Sequence, residues 1–176
     1  MSKILLTAWI FIICSMGSCK KKEVNPPSTF TALINGIPWQ PRDIRIVDDD
    51  TTMEITFERY NEFGEKRETY TFNLIKKNNL VQRIYPRDYK ITHGFGLNLF
   101  SGFFTSIDDG DVVCDAYNVL AADSINNFLQ IESQSNNYKE ITGRLNATYY
   151  RFDSCRGSTW QDTLRITNGK FHLYFD

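Results

Sequence analysis

Met53-Glu54-Ile55-Thr56-Phe57-Glu58-Arg59 alternates apolar and polar side chains along its length. Successive side chains of an extended strand point to opposite faces, so Met53, Ile55 and Phe57 face a core while Glu54, Thr56 and Glu58 face water. The same period of two returns in Thr69 to Ile75, where Tyr70, Phe72 and Leu74 form the apolar set. It returns through Ile141, Leu145, Ala147 and Tyr149, and at the end through Phe171, Leu173 and Phe175. No convincing helical stripe competes with it, and Asp111 to Leu120 has the weakest pattern.

Turn signals separate these runs. Asn35-Gly36 and Asn168-Gly169 each read as a two-residue hairpin turn, because both central residues of such a turn need φ > 0. Glu62-Phe63-Gly64, Asn78-Asn79, Asp108-Asp109-Gly110 and Ser135-Asn136-Asn137 mark further turns. Spacing of about eight to twelve residues between turns predicts an all-β domain of about nine to ten strands. An antiparallel β-sandwich and a closed up-and-down barrel both satisfy that pattern.

The 176 residues, less an export signal, suit a single domain. Apolar residues make up 41% and charged residues 23%, a balance that builds a core rather than a disordered chain. Lys and Arg number 20 against 21 Asp and Glu; loss of Lys3 with the signal leaves 19 against 21, a net charge of −2. Such a chain exerts no long-range pull on nucleic acid, which is not an expected partner.

The N-terminus reads as an export signal. Lys3 precedes Ile4 to Ile13 (ILLTAWIFII), an apolar run too short to cross a bilayer core of about 30 Å as a helix. Ser15-Met16-Gly17-Ser18-Cys19 then resembles the lipobox of bacterial lipoproteins, with Met16 where Leu is commoner. That resemblance implies cleavage before Cys19, acylation of its thiol and a stable membrane anchor of two or three chains. Residues 1–18 are thus the signal peptide, 19–28 a tether and 29–176 the β-rich domain. The tether contains Pro26-Pro27 and reaches about 25–30 Å at about 3.1 Å per residue. Its Lys20, Lys21 and Lys22 lie where each adds about 1 kcal/mol of attraction to anionic headgroups.

With Cys14 lost and Cys19 acylated, Cys114 and Cys155 remain as an even pair in an oxidising compartment and are expected to form a disulfide. Closing a loop of about forty residues contributes about 3–4 kcal/mol on chain-entropy grounds.

A lipobox, a short tether and then Phe30-Thr31-Ala32-Leu33-Ile34-Asn35-Gly36 with Trp39 behind it is similar to the opening of a family of uncharacterised Bacteroidota lipoproteins. Ile141-Thr142-Gly143 with Leu145, and Leu164 with Ile166-Thr167-Asn168-Gly169-Lys170-Phe171, resemble that family's later strand and closing hairpin, Leu145 replacing the usual Phe. The resemblance covers both ends of the mature chain. It implies fold and an outer-membrane lipid-anchored location in the cell envelope, on either face, and no activity. Asp123-Ser124-Ile125 and Asp162-Thr163-Leu164 also resemble the O-glycosylation motif of the same phylum, which makes Ser124 and Thr163 candidate acceptors.

Candidate chemistry is sparse. A nucleophilic Ser or Cys needs a base, and His93 and His172 are the two histidines. His172 alternates with core residues and so faces water; His93-Gly94-Phe95-Gly96 lacks the spacing of a phosphate loop. No Cys or His spacing fits zinc, and neither Asp48-Asp49-Asp50 nor Asp108 to Asp111 has the EF-hand pattern, so no metal site and no cofactor is expected. Aromatic residues offer more. Trp39, Trp160, Tyr117 and Tyr150 suit a stacking platform for a sugar or another flat ligand, with Trp160 presented by Arg156-Gly157-Ser158-Thr159-Trp160-Gln161. For Trp39 the favoured reading is a plug at one end of the core, beside the first turn.

The expected function is therefore a non-enzymatic envelope module that binds a ligand, glycan or protein through Trp160, Tyr150 and Trp39. A polysaccharide hydrolase would instead need two carboxylates about 5–10 Å apart in a cleft. A structural component would need neither cleft nor exposed aromatic patch.

Overall fold

The computed structural model describes residues 26–76, 80–84, 101–107, 112–135 and 139–174. The signal peptide, Cys19 with most of the tether, His93 and Asp108 to Asp111 lie outside them. The described chain is all-β, with one turn of 3₁₀ helix at Ala121–Asp123. Its strands are β1 (Thr29–Ile34), β2 (Ile37–Trp39), β3 (Asp43–Asp48), β4 (Thr52–Tyr60), β5 (Lys66–Ile75), β6 (Val81–Arg83), β7 (Ser101–Ile107), β8 (Val112–Val119), β9 (Phe128–Gln134), β10 (Glu140–Ser154) and β11 (Thr163–Tyr174). The count exceeds the expected nine to ten because β2 and β6, three residues each, are too short to show a period. The weakly patterned stretch Asp111 to Leu120 supplies β8.

All the strands belong to one antiparallel sheet whose main path runs β2-β1-β11-β10-β8-β7-β5-β4-β3. The sheet forks at β10. Ile141 to Asn146 pair with β9 and Tyr149 to Ser154 with β8, while β11 takes the other edge. Asn127, fully buried, fills the fork by donating to the Leu120 carbonyl at 2.9 Å and accepting from the Thr148 amide at 2.8 Å. Gln82 of β6 similarly extends the ladder to the end of β5, accepting from the Ile75 amide at 2.6 Å and donating to its carbonyl at 2.8 Å. A buried amide satisfied at both ends substitutes for a missing strand pair.

The sheet curls. Phe30 of β1 stacks on Phe57 of β4 with ring centroids 4.2 Å apart, although β11, β10, β8, β7 and β5 separate those strands in the sheet. The resulting half-barrel encloses an aromatic core in which Phe57, Tyr70, Phe72, Phe103, Tyr117 and Tyr149 are all but inaccessible. Burial pushes the Tyr70 phenol up to about 12 and that of Tyr149 well above its ordinary value. Both phenols are nonetheless satisfied, Tyr149 donating to Tyr70 at 3.0 Å and lying 2.6 Å from the Ser101 hydroxyl.

Asn35-Gly36 makes the expected turn, with φ of 50° and 83°, between β1 and β2. Asn168-Gly169 does not. Asn168 has φ 53° but sits within β11, which continues through it and pairs with β1 on one side and β10 on the other. The register slips there from Leu145↔Gly169 to Ala147↔Ile166, so the pair forms a bulge that bends a continuous strand. A positive φ serves a bulge as well as a turn, which is why the dipeptide alone misleads. Glycine at 169 is required by packing, since a Cβ there would lie 2.8 Å from the Leu145 carbonyl.

Candidate functional site

Cross-strand register arranges the interior in rungs. Phe57, Tyr70, Phe103 and Tyr117 face one another across β4, β5, β7 and β8. Two residues further toward one end, the same strands pair Arg59 with Glu68, Glu68 with Thr105, and Thr105 with Asp115. Side chains two apart on a strand share a face, so this second rung lays a polar belt over the aromatic core at its mouth.

Every charge in the belt is engaged. Trp39 donates its indole N–H to Glu68, whose carboxylate also meets Arg59 Nη1 at 3.4 Å. Asp115, with no exposed surface, accepts from Thr105 at 2.8 Å, from Ser158 at 2.7 Å and from Arg151 at 3.2 Å. Burial opposes its charge, but the donations from Ser158, Thr105, Ser154 and Arg151 outweigh burial and hold its carboxyl below the ordinary 3.8. Arg151 also pairs with Asp162.

These contacts fasten the loop that follows β10. Cys155 is disulfide-bonded to Cys114, and its amide donates to the Cys114 carbonyl at 2.8 Å. Gly157, at φ 85°, lets the chain reverse so that Ser158 reaches Asp115. Ser158 Oγ in turn accepts from the Trp160 amide at 3.2 Å, and the Gln161 carbonyl accepts from Tyr117 at 2.8 Å. Asn35 of the first turn donates to the Gln161 side chain at 2.7 Å. Trp160 is thereby set half-buried, its ring 5.6 Å from that of Phe103, which lies 6.5 Å from Trp39.

Between the first hairpin and this loop lies a pocket of about 260 Å³, lined by Ile37, Pro38, Trp39, Arg59, Trp160 and Gln161 among others. Trp39 forms its floor, being 3% exposed, whereas Ile37 at the rim is 69% exposed. A second, shallower concavity of about 530 Å³ adjoins it and shares Pro38, Trp39 and Arg59. The chemistry on offer is a flat apolar surface, amide groups and one exposed guanidinium, the composition of a binding pocket.

No family model, curated protein or solved structure matches the chain. The pocket is therefore read from its own residues.

Of the aromatic candidates, the structure brings Trp39 and Trp160 together and leaves Tyr150 apart. Tyr149 points into the core, so Tyr150 points out, 39% exposed on the opposite face. Tyr117 is buried beneath the Trp160 loop. Ser124 ends the 3₁₀ turn, half-buried, and Thr163 is exposed at the start of β11. His172 is half-exposed, its Nε2 at 2.7 Å from Glu140. Asp48 pairs with Lys76, while Asp49 accepts from the Asp50 amide at 2.8 Å, which makes that acidic run part of a hairpin turn. Among the described residues, no three His, Cys, Asp or Glu side chains gather as metal ligands would. Arg59, Glu68 and Asp115 were not among the sequence candidates. The signal for them is phase: each continues the inward period of Phe57, Tyr70 or Tyr117 with a charge.

Proposed function

We propose that this chain is a lipid-anchored envelope lipoprotein, kin to the uncharacterised Bacteroidota family, that binds a small ligand without transforming it. The ligand enters the pocket between Trp39 and Trp160, a sugar ring lying against the Trp160 indole. The observation that carries this reading is the bracing of Trp160: a disulfide, a buried carboxylate and several hydrogen bonds hold one half-buried tryptophan at the lip of an open pocket. Fixing an aromatic platform in advance lowers the ordering cost of binding. The lipobox, Lys20 to Lys22 and the Pro26-Pro27 tether support the location, which is the outer membrane on either face. Within the same reading the sheet functions as a barrel whose mouth is the pocket, supported by the Phe30 to Phe57 stack. Ser124 and Thr163 stand as surface candidates for O-glycosylation.

A hydrolase needs a carboxyl group free to give and take a proton. Glu68 and Asp115, the carboxylates beside the pocket, are instead committed to Trp39, Arg59, Thr105, Ser158 and Arg151. Binding is accordingly favoured over hydrolysis. A glycan array on the full chain tests it: a defined set of glycans should be retained, and Trp160→Ala should weaken them at least about tenfold, the usual loss at a central aromatic contact. Unchanged retention by Trp160→Ala, or a blank array, contradicts the reading.

A further inference from the structure

The chemistry of Arg59 narrows the ligand, given the binding reading above. Arg59 lines both the 260 Å³ pocket and the 530 Å³ concavity beside it, and no other charged side chain lines either among the described residues. The charges of the Arg59 to Glu68 pair are unequally presented: the Arg59 side chain is 46% exposed and that of Glu68 is 11%. Glu68 is also occupied from behind by the Trp39 indole. Its contacts with Arg59, at 3.4 and 3.5 Å, both run to Nη1. Among the described residues Nη2 and Nε have no partner, so a planar edge of the guanidinium remains to be used. Such an edge matches a carboxylate, which it holds with two parallel hydrogen bonds. A guanidinium anchored at one nitrogen by a buried acid keeps its direction, and directional recognition depends on that.

We propose that the pocket takes an acidic sugar: a pyranose ring on Trp160, with its carboxylate on Arg59. The apolar wall of Trp160, Ile37 and Pro38 matches the ring face, and the Gln161 amide nitrogen, its oxygen already held by Asn35, matches a ring hydroxyl. A neutral sugar would leave the guanidinium edge unused.

The test is calorimetric titration of the full chain with oligomers of galacturonate, glucuronate and mannuronate, each beside its methyl ester, with neutral oligosaccharides and acetate as further ligands. Esterification removes the charge and keeps the ring. At least one acid should bind about tenfold or more tighter than its ester, as expected for a charge-assisted hydrogen-bonded pair. Arg59→Gln should bring the ratio of acid to ester affinity to about one, and Arg59→Lys should restore part of that ratio. Equal affinity of acid and ester, or binding confined to neutral sugars, overturns the acidic ligand and leaves the binding reading standing. Acetate binding as tightly as the best uronate overturns it by showing that the ring contributes nothing. Absence of binding across every sugar overturns both readings together.

Discussion

Asp115 shows how one side chain links fold and site. It has no exposed surface, faces Thr105 across the ladder and holds both Ser158 and Arg151, so the Trp160 loop hangs on it. Asp115→Asn removes the charge and should cost about 2–3 kcal/mol, because Arg151 and two hydroxyl donors lose a charged acceptor. The pH dependence follows from the depressed carboxyl. Asp115 stabilises the fold fully above its ordinary value of 3.8, and that contribution falls away as the pH drops through the lower folded value. Urea unfolding of the wild type should therefore weaken below about pH 4, with a shallower acid slope in Asp115→Asn. Gly143 gives a second test at this scale. A Cβ there would lie 2.3 Å from both the Gln130 carbonyl and the Phe171 ring, so Gly143→Ala should cost about 2–3 kcal/mol of overpacking by the same assay. Residues of the site were legible where period and charge conflict. Counting by twos from Phe57 reaches Arg59, and from Tyr70 reaches Glu68, each a charge on the core side. Their meeting with Trp39 was not legible, because it depends on a strand pairing far along the chain.

At the scale of elements, β11 and the loop before it decide how the site is held. The alternating strands were readable from the order of their residues, since β5 buries every second residue from Glu68 to Leu74 and β4 does so from Met53 to Phe57. Glu58, expected to face water, breaks the period of β4 by being buried as well. β11 was readable as a strand and misread as a hairpin, because Asn168 needs the same backbone at a bulge as at a turn. Substitution separates the two roles. Asn168→Gly should leave stability within a few tenths of a kcal/mol, while Asn168→Val should cost about 1–2 kcal/mol for forcing a branched residue into the left-handed region. In both variants hydrogen exchange should show the amides on either side of residue 168 protected as one unit. The disulfide acts on the neighbouring loop. Cys114 and Cys155 lie 41 residues apart, so the double serine variant should lose about 3–4 kcal/mol in urea unfolding. It should also lose ligand affinity, since Ser158 and Trp160 follow Cys155 directly in the brace.

For the molecule as a whole, the curl of the sheet was the least legible feature. The expectation of an all-β antiparallel fold holds, but nothing local announces that β1 folds over onto β4 or that β10 serves two partners on one edge. Those facts arise from long-range pairing, in which Asn127 and Gln82 complete ladders that short strands leave open. A core built of phenols and phenyl rings has a measurable consequence. Tyr70 and Tyr117 are pushed up to about 12 and Tyr149 well above 10.0, so the folded state holds protons that the unfolded chain releases. The contribution of these phenols to stability should be constant below pH 10 and fall away above it, with ultraviolet tyrosine titration showing a late, cooperative step that coincides with unfolding. Function belongs to this scale too, because the pocket exists only where the first hairpin, β4 and the Trp160 loop converge. Nitrogen-edited NMR of the full chain, titrated with a glycan retained on the array, locates binding directly. The indole resonances of Trp160 and Trp39 should move together with the Arg59 guanidinium, while the amides around Tyr150 and Phe152 on the opposite face stay still. Shifts confined to that outer face, with both indoles unmoved, would contradict the assignment of the pocket as the binding site.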